Sequence, residues 1–174
     1  MTTQYVQFSD ATEAKIQSIF GCPQNANDYP NQGQVDSSDP RFIAFANPAA
    51  TLSGAQAIQI GVLQAAYVAA VNLPVSYTNA AGVTSTYAAG ASLALNGQTA
   101  NQNLLDAIAL GSKGWKLGLW LDSNSVAQTF TFADLQGLAD AMGNAVQLDW
   151  SDLVSKIAAV QAATSVSEVQ AITF

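Results

Sequence analysis

The sequence predicts an α+β protein in which two β-hairpins form a small antiparallel sheet covered by helices, with a mainly helical N-terminal extension and a long C-terminal helix. Three observations carry that expectation. Val75-Ser76-Tyr77-Thr78 and Val83-Thr84-Ser85-Thr86-Tyr87 place β-branched and aromatic residues on either side of the turn Asn79-Ala80-Ala81-Gly82, whose glycine can take positive φ. A second alternating stretch, Gly114 to Leu121, passes through a polar turn at Asp122 to Ser125 and continues from Val126 to Phe132. Behind it, Thr131 with Asp134 fits the Ser/Thr-x-x-acid pattern of a helix start, and Leu135, Leu138, Met142, Val146, Leu153, Ile157 and Val160 recur at helical spacing. Two hairpins of similar length on either side of a helix can combine into a four-stranded sheet.

The elements follow in chain order. Tyr5-Val6-Gln7-Phe8 alternates like a short strand, and Asp10 with Glu13 resembles a capping box that opens a helix through Phe20, ended by Gly21 and Pro23. Residues 21–38 are rich in Asn, Gln, Pro and Ser and carry no hydrophobic period, so an extended or looped segment is expected, with Tyr29 and Val35 as anchors for another surface. Asp39-Pro40 suits an N-cap followed by the first helical residue, and Arg41 to Phe45 continue that helix until Pro48. From Ser53 to Asn72 a third helix shows a wide apolar stripe, closed by Pro74. Asn96-Gly97 makes a turn, and Thr99 to Leu110 reads as a helix through Leu104, Leu105 and Ile108, ended by Gly111.

In the second hairpin, period-2 alternation puts Trp115, Leu117, Leu119 and Leu121 on one face as the better core set, with Trp120 opposite. The helix from Phe132 is expected to reach Ala163, with Gly143-Asn144 as a candidate bend. Ser165 with Glu168 then caps a last short helix, Val166 to Ile172. The expected division is residues 1–52 as an N-terminal extension or partner-contact segment and 53–174 as the α+β domain.

Composition narrows the chemistry. The 174 residues are 49% hydrophobic, yet only 10% are charged, against roughly 25% in ordinary globular domains, so the surface is largely neutral and polar. A net charge of −7 with five basic residues (Lys15, Arg41, Lys113, Lys116, Lys156) argues against neutralising a phosphate backbone, and no nucleic-acid partner is expected. The apolar run Ala55 to Val75 is interrupted by Gln56, Gln59, Gln64 and Asn72 and lacks flanking basic residues, so it reads as a buried or half-buried helix and not a membrane insertion. The first residues show no basic n-region or apolar h-region, and synthesis in the cytoplasm is expected.

No histidine occurs, and Cys22 is the single cysteine. Histidine general acid or base chemistry, His-ligated zinc and an intrachain disulfide are therefore closed to this chain. Cys22, in Gly21-Cys22-Pro23, is expected to be a small buried or semi-buried thiol, since nothing cationic lies near it in sequence to lower its pKa. An enzyme would have to rest on carboxylates, and Asp10/Glu13, Asp36/Asp39 and Asp149/Asp152 each have a structural explanation: helix caps for the first two, an exposed helix face beside Lys156 for the third. No catalytic residue, cofactor or metal site is expected.

The run Trp115-Lys116-Leu117-Gly118-Leu119-Trp120-Leu121-Asp122, then Phe130 to Ala139, then Ile157 to Thr164 and Val169 to Ile172, resembles a domain of unknown function found in bacteriophage and prophage tail-fibre loci, and the Val75 to Val83 hairpin is similar too. The likeness covers about residues 70–174, with a weaker one around Tyr5 to Phe8 and Pro30 to Gly33; Gly143 to Trp150 departs from it in lacking basic residues. The resemblance implies a non-enzymatic tail-fibre accessory in a phage or tailocin, either a fibre assembly chaperone or a fibre-attached virion subunit. It would work in the host cytoplasm during assembly and stay on the virion tail if retained. Its implied partner is the phage tail-fibre protein, with self-association as a second mode, and the expected contact residues are Tyr29, Val35, Trp120, Ile172 and Phe174. The alternative is a carbohydrate-binding module at the fibre tip, using Trp115, Trp120, Tyr77 and Tyr87 as aromatic faces.

Overall fold

The computed structural model describes residues 2–92, 97–116 and 118–174. It has the α+β class expected, with small antiparallel sheets, a helical segment near the N-terminus and a long C-terminal helix. The chain divides into two compact units, Met1–Val62 with Ile157–Thr173 and Leu63–Lys156 with Phe174.

In the first unit, strands β1 (Thr3–Phe8), β2 (Ile16–Phe20) and β3 (Gln32–Asp36) form an antiparallel sheet in the order β2-β1-β3. The sequence reading expected a helix where β2 lies. Asp10 does accept from the Thr12 amide at 2.9 Å and from the Thr12 hydroxyl, but it closes a turn, and Glu13 sits at φ +57°. A short acceptor side chain that bonds the backbone two residues on serves a turn as well as a helix. The supposed loop 21–38 likewise ends in a strand. Val35 is buried (6% exposed) with Val6, Phe8 and Ile16, and Phe42 packs against them.

Helix α1 (Pro40–Ala46) starts as expected, with Asp39 accepting from the Arg41 amide at 2.8 Å and proline in the first turn. A short 3-10 turn, Pro48–Ala50, precedes α2 (Leu52–Ala70), where the Thr51 hydroxyl accepts from the Gly54 amide at 3.1 Å. Gly54 is required here: a Cβ would lie 2.0 Å from the Pro48 carbonyl oxygen.

The second unit holds two hairpins, β4 (Val75–Thr78) with β5 (Thr84–Tyr87) and β6 (Leu119–Leu121) with β7 (Ala127–Thr129). They remain separate two-stranded ladders, where a single four-stranded sheet was expected. The link between them is local: the Ser123 amide donates to the Thr86 carbonyl at 2.8 Å and the Ser85 hydroxyl to the Asp122 carboxylate at 2.7 Å. Between the hairpins lie α3 (Ala100–Ala109), capped by the Thr99 hydroxyl, and a short helix α4 (Gly111–Gly114). The expected Asn96-Gly97 turn falls partly outside the described residues.

Helix α5 (Phe132–Ala162) continues through Gly143-Asn144, and α6 (Val166–Ala171) follows, with the Ser165 hydroxyl accepting from the Glu168 amide at 3.2 Å. The second unit's core gathers Tyr87, Ala89, Leu104, Ala107, Phe130, Leu135, Leu138 and Met142. Trp115, Trp120 and Tyr77 pack against that core. Here the period-2 expectation fails. Gly118 takes φ +63°, which ends the alternation before β6, so Trp115 and Trp120 come together with ring centroids 6.0 Å apart while Leu119 and Leu121 are exposed. Leu117 lies outside the described residues.

Candidate functional site

The two most buried carboxylates of the second unit are not among the pairs the sequence singled out. Asp134 begins α5 with a full reciprocal capping box: its amide donates to the Thr131 hydroxyl at 3.1 Å, and its Oδ2 accepts from the Thr131 amide and hydroxyl, each at 2.7 Å. Its Oδ1 accepts from the Ala80 amide at 2.8 Å and the Tyr77 hydroxyl at 3.2 Å. Asp122 takes four donors as well, from the Asn124 and Val126 amides (both 2.9 Å), Ser85 Oγ (2.7 Å) and Gln128 Nε2 (3.1 Å). A carboxylate has about four acceptor sites, so both are saturated by their own chain.

Their titration follows from that. Burial pushes the Asp134 carboxyl up, but the Thr131, Ala80 and Tyr77 hydrogen bonds outweigh it and hold the group below its ordinary value. For Asp122 the Ser85 hydroxyl is the largest cause of a similar depression. Tyr87 lies fully buried, its hydroxyl without a partner, and burial followed by the charges of Asp122 and Asp134 pushes its pKa up. These groups hold the two hairpins to the start of α5; they offer no free lone pair to a substrate.

Of the carboxylate pairs the sequence offered, Asp39 and Asp152 have the roles expected, whereas Asp10 and Asp36 close turns and cap no helix. Asp36 accepts from the Ser38 amide and hydroxyl, Asp39 caps α1, and Asp152 pairs with Lys156 at 2.6 Å one turn away. Cys22 is exposed, contrary to the buried or semi-buried thiol expected, because Gly21-Cys22-Pro23 lies on the surface beyond the end of a strand and not behind a helix. Among the described residues, no group of three His, Cys, Asp or Glu is placed to hold a metal ion. None of the helices among them is long and apolar enough to cross a membrane.

The expected contact residues separate. Val35 is core. Tyr29 is exposed and meets Phe20 edge-on, with centroids 5.2 Å apart. Its loop is held by its own amides: Gln32 Nε2 donates to the Gln24 and Tyr29 carbonyls, and Gln7 Nε2 to the Pro30 carbonyl. Trp120 is half-buried against the core. The Ile172 carbonyl accepts from Gln59 Nε2 at 2.7 Å, and Phe174 lies 4.9 Å under the Lys156 ammonium.

Two outward faces were not singled out by the sequence reading. In the second unit, α5 exposes Trp150 (55%) and Val154 (48%), one turn apart, and Tyr67 meets the Trp150 ring edge-on at 5.7 Å. Leu148 is more exposed still, at 72%.

Helix α2 buries Ala55 and Leu63 but departs elsewhere from the usual division of faces. It carries no charged residue, yet Gln56 and Gln59 turn inward, donating to the Val160 carbonyl at 3.1 Å and to the Ile172 carbonyl, while Ile58, Val62 and Val68 stand exposed on one arc. Side-chain amides that satisfy carbonyls at the end of α5 and α6 hold the helix in this orientation. A helix of a free monomer ordinarily places these residue types the other way round.

These features define an acidic α+β protein with exposed apolar residues on α2 and α5. No protein-family model, no curated protein and no solved structure matches the chain.

Proposed function

We propose that the protein is a non-enzymatic tail-fibre accessory of a phage or tailocin, acting by protein–protein contact as a fibre assembly chaperone or a fibre-attached subunit. One observation carries the contact reading: large apolar side chains face water on the two longest helices, and on α2 they do so while Gln56 and Gln59 face inward. Isolated exposed apolar residues are ordinary, but an uncharged helix arc and a half-exposed tryptophan braced by a tyrosine match the anchors of protein interfaces. The assignment to a fibre rests on the sequence resemblance.

The partner is the tail-fibre protein, with self-association through the same faces as a second mode. Sugar recognition is the weaker reading, because the rings it would use are turned to other work. Tyr87 is fully buried, Tyr77 donates to Asp134, and Trp115 donates from Nε1 to the Phe130 carbonyl at 3.0 Å with its ring tilted 53° to that of Trp120.

Co-expression with the adjacent fibre gene, followed by size-exclusion chromatography, tests the reading. Co-elution is the expected result. Independent elution, together with absence of the protein from purified particles, would sink both the chaperone and the virion version. Mass spectrometry of particles separates the two: a structural subunit appears at fixed stoichiometry and a chaperone does not.

A further inference from the structure

The first unit holds a cavity of about 290 Å³ lined by Lys15, Ile16, Arg41, Ala44, Phe45 and Pro48, with Ala14 at its edge. Two of the five basic residues of an otherwise acidic chain meet there over an apolar floor. Phe45 is exposed and Ile16 is buried beneath. The guanidinium of Arg41 is fixed in place: Nε and Nη2 donate to the two Asp39 oxygens at 3.0 and 2.7 Å, Nη1 donates to the Glu13 carbonyl at 3.0 Å, and the group lies 5.0 Å over the Phe8 ring. Five N–H donors less these three leaves one on each Nη nitrogen. The Glu13 carboxylate, 60% exposed, stands 3.9 Å from Nη1 without reaching hydrogen-bond distance. Among the described residues, the Lys15 ammonium has no carboxylate within ion-pair range.

We propose that this cavity is a docking site for a partner-protein segment that presents a carboxylate beside an aromatic or branched side chain. Charge complementarity selects the carboxylate: Lys15 is unpaired and Arg41 keeps two donors, already drawing a loose second acid, Glu13, to its rim. The volume selects the rest. It lies at the bottom of the range for small-molecule pockets, roughly 300–1,000 Å³, and suits one bulky side chain with its neighbouring acid group. Glu13 is then an internal competitor, and Lys15 and Glu13 affect docking with opposite signs. This site is independent of the outward faces on α2 and α5.

The test uses the full chain and two blocked tetrapeptides, acetyl-Gly-Phe-Glu-Gly-amide and its uncharged Gln twin, followed by amide NMR shifts at Lys15, Ala44 and Phe45. The acidic peptide is expected to give saturable shifts with a Kd on the order of 1 mM, and the Gln peptide to bind roughly threefold more weakly, the size of one exposed ion pair. Lys15→Gln weakens the acidic peptide by a similar factor and Glu13→Gln tightens it. Equal binding of the two peptides, no saturable shift at these residues, or Lys15→Gln and Glu13→Gln moving affinity in the same direction would overturn the proposal. The opposite signs cannot arise from a general loss of folding.

Discussion

The first three turns of α5 bury the large aliphatic residues they carry, whereas its middle keeps the same buried stripe at Leu153 and exposes further apolar residues beside it. Near the start, Leu135 and Leu138 are fully buried, Met142 nearly so, and Asp134 ties the helix to β4 and to the turn that follows it. In the middle, Leu148, Trp150 and Val154 are exposed, off the stripe that continues through the buried Leu153. The same residue types close a core in one place and stay uncovered in the other. The difference teaches that apolar residues of this helix make two kinds of surface, one buried within the chain along the periodic stripe and one exposed beside it.

Breaking the satisfied end should have the largest effect. Asp134→Ala removes the capping box and leaves the Ala80 amide and Tyr77 hydroxyl without their acceptor, so a loss of about 3 kcal/mol or more is expected in urea unfolding. Gly137→Ala is next, since its Cβ would stand 2.5 Å from the Tyr77 hydroxyl and 3.0 Å from the ring; about 1–3 kcal/mol of destabilisation is expected.

Acid should act on the same end. The folded Asp134 carboxyl titrates below its ordinary value of 3.8, so its contribution is complete above that value and is lost as pH falls through the lower folded value. Thermal melts should therefore fall off below pH 3.8, and Asp134→Asn should flatten that limb relative to the wild type. At the other end, Trp150→Ser should change stability by less than about 1 kcal/mol, because the side chain is already half in water. Its effect belongs to association.

Much of this was legible in the sequence where the signal is local. The Thr131–Asp134 and Ser165–Glu168 boxes, Asp39-Pro40, the Gly82 hairpin and the length of α5 each depend on residues within a few positions of one another. Glu168 shows the limit even there, accepting from the Thr164 amide at 2.8 Å where a strict box would use Ser165. What was not legible depends on distant or conformational partners. Asp10 bonds forward in a turn as readily as in a helix, which hid β2. Gly118 entering the left-handed region reversed the faces of the Trp hairpin, a choice that composition does not reveal. The inward glutamines of α2 are satisfied by carbonyls more than a hundred residues away, so a stripe that looked like core turned out to face water. Trp150 was passed over in favour of Trp120 for the same reason: exposure is decided by what packs from elsewhere in the chain.

The central claim is that the uncovered faces are contact surfaces for a fibre protein. Its most direct test is co-purification of that fibre protein with wild type and with Trp150→Ser, with unfolding curves recorded on both. The account predicts that wild type retains the partner and that Trp150→Ser loses most of it at nearly unchanged stability. Full retention of the partner by a folded Trp150→Ser, or no retention by wild type, would contradict it.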